Sequence, residues 1–498
     1  MTEEEAFLAD IADHPDDDTP RLIYADWLDD HDDAARAEFI RTECELARLD
    51  EFDERAVSLR RRSAELSKEH EDRWLGPLKK HLHDWRFRKG LPEVIEVHPA
   101  AFVDHAAAWL RHAPICHVRL KSQGTNEQVR RFFQSPCLSR VRTLEILDCE
   151  SSQSLLEALG ECQHLERLTA LILCGCHVTP EGVRTLCRAP FVRQLRGLNL
   201  GGNRLGPAGI EILVGCEDLS RLESLILHNG YFGAPGVEIL ASSNHLGSLQ
   251  RLDLSYNFFG PAAARALARC SGLTRLKELN LCECSLGDTG LEAIAGSGHL
   301  RSLEQLDLSG NGLGPSSGAT LAASPLLASL RELDLAKNHL GPSGVAALAR
   351  APVATALRAI SFYKDEFGDE GATALGKWPA LSHLRELCLS RTNITAFGLK
   401  DVLNNMQDGN LRVLQLGWNR LCSLGAQVLA RWPGLSSLRR LTLRENQFGD
   451  DGVSALMRSQ YLPALERLVV GENDYTEPMR DMITEAATRA GVHELVLD

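Results

Sequence analysis

The sequence predicts an α/β fold, a right-handed repeat solenoid with a parallel inner sheet and outer helices, preceded by a small all-α module. Three observations predict it. The pattern Leu195-x-x-Leu198-x-Leu200-x-x-Asn203-x-Leu205 returns as Leu249-x-x-Leu252-x-Leu254-x-x-Asn257-x-Phe259 and as Leu303-x-x-Leu306-x-Leu308-x-x-Asn311-x-Leu313. Its asparagine position falls at 149 and at every 27th residue to 473, thirteen positions without insertion or deletion. The second half of each unit, as in Gly206-Pro207-Ala208-Gly209-Ile210-Glu211-Ile212-Leu213, has helical apolar spacing after a Gly/Pro turn.

Residues 1–72 read as the helical module. Phe7-Leu8-Ala9-Asp10-Ile11 is a short amphipathic helix, broken by Pro15-Asp16-Asp17-Asp18-Thr19-Pro20. Arg21-Leu22-Ile23-Tyr24-Ala25-Asp26-Trp27-Leu28 starts a second helix, and Glu38-Phe39-Ile40-Arg41 lies in a third. The module is acidic: residues 1–50 hold 17 Asp/Glu against 4 Lys/Arg, while the other 448 residues hold 51 against 50. Asp17-Asp18, Arg21-Leu22, Tyr24 through Leu28 and Glu38 through Arg41 resemble the small repeat-companion domain that precedes repeat arrays in bacterial proteins. That resemblance implies a bacterial origin and brings no activity with it.

Residues 73–137 read as irregular N-terminal capping repeats. Trp74-Leu75-Gly76-Pro77 and Trp85-Arg86-Phe87-Arg88-Lys89-Gly90-Leu91 lead to Val94-Ile95-Glu96-Val97 and Ile115-Cys116-His117-Val118-Arg119-Leu120, which read as strands entering the array.

Residues 138–498 read as the solenoid with a C-terminal cap. One repeat cannot bury its apolar face alone, so each strand pairs with the next and each helix covers the outside. Leu195, Leu222, Leu249, Leu276, Leu303 and Leu330 then stack into one core, each worth roughly 1.5–3 kcal/mol. The column Asn203, Asn257, Asn311 and Asn338 is expected to bond neighbouring backbone after each strand, a role that Cys149, Cys176 and Cys284 can take over. Val492-His493-Glu494-Leu495-Val496-Leu497 reads as a last, degenerate strand that caps the array. The motif matches L-x-x-L-x-L-x-x-N/C-x-L, the leucine-rich repeat signature. A strand plus a full helix per unit resembles the ribonuclease-inhibitor-like subclass, including the leucine-rich domain of Ran GTPase activators. The resemblance implies a horseshoe whose concave, strand-lined face binds another protein.

Composition narrows the function. A net charge of −14 argues against nucleic acid or an anionic membrane as partner. No apolar run approaches the ~20 residues of a membrane span, and the acidic start Thr2-Glu3-Glu4-Glu5 is unlike a secretory signal. Fourteen cysteines without such a signal read as reduced thiols, so the expected location is the cytoplasm.

The candidate chemistry is weak. Asp26, Asp29, Asp30, Asp32 and Asp33 lack the Gly and Glu of a calcium loop, with His31 and Ala37 at those places, and read as helix-capping aspartates. Cys174-x-Cys176-His177 and Cys282-x-Cys284 lie four repeats apart, roughly 19 Å along a sheet, too far to share zinc. Gly371 through Trp378 nearly spells a phosphate loop but lacks the Ser/Thr after Lys377. The expectation is therefore no enzyme, no cofactor and no metal.

The exposed strand columns place a binding site instead. Asp253, Asn280, Asp307 and Asp334 form a polar-to-acidic column. Tyr363, Lys364, Arg391, Trp418 and Arg444 form an aromatic-basic cluster, with Tyr256 in the Trp418 column and Arg331, Arg358, Arg385, Arg412 and Arg439 at one repeat position beside it. Interface energy concentrates in Trp, Tyr and Arg, which makes Tyr256, Tyr363, Lys364, Arg391, Trp418 and Arg444 the expected contacts. The expectation is a monomeric scaffold or adaptor for a protein partner, with an inhibitor or GTPase-activating regulator as the alternative.

Overall fold

The computed structural model describes residues 2–121, 124–149, 152–351, 354–406, 409–462 and 465–497. They form two compact units, 1–231 and 232–498.

The first unit opens with four helices, α1 (Glu3–Asp13), α2 (Thr19–Asp30), α3 (Ala34–Leu46) and α4 (Glu54–Leu75). Thr2 and Glu5 close a capping box on α1, and Asp33 caps α3 by accepting from the Arg36 N–H. Pro20 belongs to the first turn of α2, where its missing N–H costs nothing, so the helix starts before the expected break ends. An antiparallel hairpin follows, β1 (Asp84–Arg88) and β2 (Leu91–Val97). From β2 the strands His117–Leu120, Thr143–Leu147, Ala170–Cys174, Gly197–Asn199 and Ser224–Ile226 each pair in parallel with the one before.

The helices are docked on this hairpin. Leu91 of β2 shares a core with Leu8, Ile11, Tyr24, Leu28 and Ile40. Phe39 stacks on Trp74 and meets the Phe87 ring edge-on. Gly90, at φ +81°, sits so close to α3 that a Cβ there would lie 2.5 Å from the Ile40 Cα. Arg21 and Glu93 form an ion pair with both side chains buried. Asp16 bonds Arg88 at 2.6 Å and Asp18 bonds Lys89 at 2.5 Å, while Asp13 pairs with Arg167. The acidic loop between α1 and α2 therefore faces basic residues of the same unit, which accounts for part of its charge.

The second unit contains ten strands from Arg251–Asp253 to Glu494–Val496, every neighbouring pair parallel and in register by 27 residues. The middle residues Leu252, Leu279, Leu306, Leu333, Ile360, Leu387, Leu414, Leu441 and Leu468 are buried. Glu494–Val496 continues the register as the last strand.

The asparagine column behaves as expected. Asn338 donates from Nδ2 to the carbonyls of Leu308 (3.0 Å) and Leu335 (2.9 Å), and its Oδ1 accepts from the N–H groups of Asn311 (3.0 Å) and Leu313 (3.1 Å). Asn311 repeats the arrangement one turn earlier. Cys284 donates its thiol to the Leu254 carbonyl at 3.3 Å, and Cys176 does the same to Ile146 in the first unit, which is why cysteine serves here. Three positions hold neither residue: Gly230, Thr392, whose hydroxyl donates to the Leu389 carbonyl (2.7 Å), and the acceptor-only Asp365. Its carboxylate accepts from Leu340 (2.9 Å) and Gly341 (3.1 Å) but has no N–H to give, and burial pushes its pKa up.

Candidate protein-binding face

In the second unit the strands from Arg251–Asp253 to Arg467–Val469 bury their middle residues, and their flanking residues, Val413 and Val469 apart, are half-buried or exposed. The strand then runs into the loop that carries the ladder position. The residue before that position is left-handed in every repeat from Tyr256 to Glu472, with φ between 53° and 66°. This conformation favours glycine, which stands at Gly310, yet the same place holds Tyr256, Lys337, Lys364, Arg391 and Trp418. Large side chains are thus presented at equivalent points of successive loops, at some backbone cost.

Three of the expected residues meet. The Arg391 guanidinium carbon lies 4.8 Å from the Trp418 ring centroid and that of Arg444 lies 5.8 Å from it. The half-buried indole is held by two cations, and Arg444 is itself fixed by an ion pair with Glu472. Lys364 lies over its neighbour Tyr363 at 5.8 Å. Within the second unit, Tyr363 and Arg444 are the large members of a column otherwise filled by Ser255, Ser309, Ala336, Ser390 and other small residues. Tyr256 does not join them: it stands six repeats before Trp418, about 29 Å at ordinary strand spacing. Its hydroxyl bonds the Cys282 thiol, which holds the Tyr256 pKa above its usual range.

The acidic column has a local role. Asp253 accepts from the Ser255 N–H (2.9 Å) and hydroxyl (2.7 Å), Asn280 from Cys282 (2.9 Å), Asp307 from Ser309 (2.8 Å) and Asp334 from Ala336 (2.8 Å). Each side chain closes the turn two residues on. Burial, with Asp307 nearby, pushes the Asp334 carboxyl up. The arginine column is also internal in part: Arg358 donates to the Thr355 and Leu357 carbonyls, Arg412 to Gly409, and Arg331 pairs with Glu304 at 3.3 Å.

Other sequence motifs also resolve into packing. Arg41 bridges Asp26 (2.6 Å) and Asp29 (2.7 Å), while Asp33 serves as a cap. Gly371 lies in the helix Gly368–Leu375 against Phe367. Cys176 is buried in the ladder, whereas Cys174 is half-buried with its sulfur 3.8 Å from His228 Nε2. Gly201 makes that approach possible, since a Cβ there would overlap the His228 ring.

Sequence reasoning missed several exposed apolar side chains, among them Tyr231 in the first unit and Phe258, Phe397 and Leu424 in the second. Phe258 is 64% exposed just after the ladder position, and Phe397 (70%) and Leu424 (48%) lie one repeat apart at the start of their helices. The signal was present: many of their repeat mates are small or polar, such as Ser285 and Asn393 for Phe258 and Thr289, Ser316 and Ser343 for Phe397 and Leu424.

The leucine-rich repeat family model matches residues 273–295, 299–322, 327–349 and 434–457. No curated protein matches the chain. Among solved structures, an internalin from Listeria monocytogenes aligns at 20% identity over 75% of this chain and 94% of its own, with TM-score 0.44. A chain of the yeast Rad7–Elc1 complex aligns at 15% identity over 89% of this chain and 97% of its own, with TM-score 0.45. The four matched segments, the 27-residue register and the Asn/Cys ladder together support a leucine-rich repeat architecture. Among the described residues no helix is long and apolar enough to cross a membrane.

Proposed function

We propose that this is a non-enzymatic scaffold or adaptor that binds a partner protein on the exposed strand face of residues 232–498. The observation that carries the reading is Trp418, half-buried and held between Arg391 and Arg444 beside the Tyr363–Lys364 pair. A ring already clamped by cations loses little freedom on binding, so its burial by a partner is converted efficiently into affinity. Residues 1–72 and 73–137 act in this reading as a cap on the array of residues 138–498. Tyr256 and Phe258 form a separate, outlying contact.

The test is co-purification from the native cytosol of the tagged chain, beside a Tyr363→Ala/Trp418→Ala variant. A stoichiometric protein retained by the parent and lost by the variant supports the reading. The same protein retained by the variant but lost by Glu93→Ala, which loosens the N-terminal helices, moves the site to the acidic module.

A further inference from the structure

Away from the strand face, two half-buried thiols meet in the helix layer of the first unit. Cys187 ends the helix Pro180–Cys187. Cys216 follows the helix Gly206–Val214 and stands at the N-terminal cap of a short 3₁₀ turn, Glu217–Leu219. The Cys216 thiol donates to the Cys187 carbonyl oxygen at 3.8 Å, and the two thiols interact with each other, with the Leu219 and Asp218 N–H groups beside Cys216. Both cysteines line one surface cleft of about 390 Å³. Arg184, Arg188, Glu217 and Asp218 also line it, two bases with two acids, so a small uncharged oxidant suits it.

We propose that Cys187 and Cys216 form a hydroperoxide-sensitive dithiol, with Cys216 the attacking thiol and Cys187 the resolving one. In the first step the Cys216 thiolate attacks one peroxide oxygen. An S–O bond forms, the O–O bond breaks, and the departing hydroxide takes the Cys187 proton to leave as water. In the second step the Cys187 thiolate attacks the Cys216 sulfenic sulfur. The S–S bond forms, the S–O bond breaks, and hydroxide leaves to be protonated by solvent. The two sulfurs lose two electrons and the peroxide gains them.

The surroundings set the order of the roles. The Cys187 hydrogen bond first, then the backbone N–H groups, hold the Cys216 thiol below its usual range despite burial, while the same bond raises Cys187. Cys44, Cys116, Cys176 and Cys284 go the other way, all pushed up by burial. The pair escapes a column-by-column reading because it is 29 residues apart and not 27.

The test treats the full-length protein at pH 7 with a small excess of hydrogen peroxide and maps thiols by alkylation and mass spectrometry. The expected result is a Cys187–Cys216 disulfide formed about 10-fold faster than any oxidation of the exposed Cys422. In Cys187→Ser, Cys216 should accumulate as sulfenic acid trapped by dimedone. Oxidation of Cys422 ahead of Cys216, or a Cys216 sulfenic acid that never resolves onto Cys187 in the unsubstituted protein, would overturn the proposal. The mapping on the unsubstituted chain stands even where a variant folds poorly.

Discussion

The N-terminal helices and the repeats of the second unit are held by different kinds of contact. Helices α1–α4 depend on pairings made once: Arg21 with Glu93, Asp18 with Lys89, Phe39 with Trp74 and Gly90 against Ile40. The repeats depend on a few bonds made at each step, the parallel register and the ladder side chain. Loss of one contact should therefore threaten the whole helical segment, whereas in the repeats it weakens one interface among several similar ones.

The largest effect is expected from Glu93→Ala. It leaves the Arg21 charge buried without its main partner and should cost about 3–5 kcal/mol. Urea denaturation should then show an early transition, and limited proteolysis should cut first within residues 1–72. Next is Asn338→Ala, which strands the Asn311 and Leu313 N–H groups and the Leu335 carbonyl, at about 1–3 kcal/mol. Asn338→Cys should recover part of that loss, as Cys284 does naturally, and a common denaturation series checks both.

Asp365→Asn works in the opposite direction. The folded pKa of Asp365 is raised, so its contribution is full below the unfolded value and is lost as pH rises through the folded one. Asparagine restores the missing donor, and the variant should gain about 1 kcal/mol at pH 7. That gain should shrink on acidification through the carboxylate range, as thermal unfolding at several pH values would reveal. Arg331→Ala should be the smallest perturbation, within about 0.5 kcal/mol, because its ion pair with Glu304 is exposed.

The fold was legible because the period places residue i beside residue i+27, so each column in the sequence is a column in space. The same rule brought Arg391 and Trp418 together and explained Cys284 in the asparagine ladder. It does not bring Tyr256 to that cluster, since sharing a column is not proximity across six strands. The arginine column read as surface charge, yet Arg358 and Arg412 reach back to loop carbonyls. Contacts outside the period were invisible. Arg21 and Glu93 are 72 residues apart with no repeat relating them, and the left-handed φ at Trp418 has no composition signal when its repeat mates include Glu, Lys and Tyr.

The most direct measurement is photo-crosslinking in cells, with a photoreactive residue placed in turn at 364, at 258 and at the helix position 347. A single protein adduct from 364, absent from 347 and weak from 258, is the outcome expected of a partner seated on the Trp418 cluster. An adduct formed from 347 and not from 364 would contradict it and assign the binding surface to the helices.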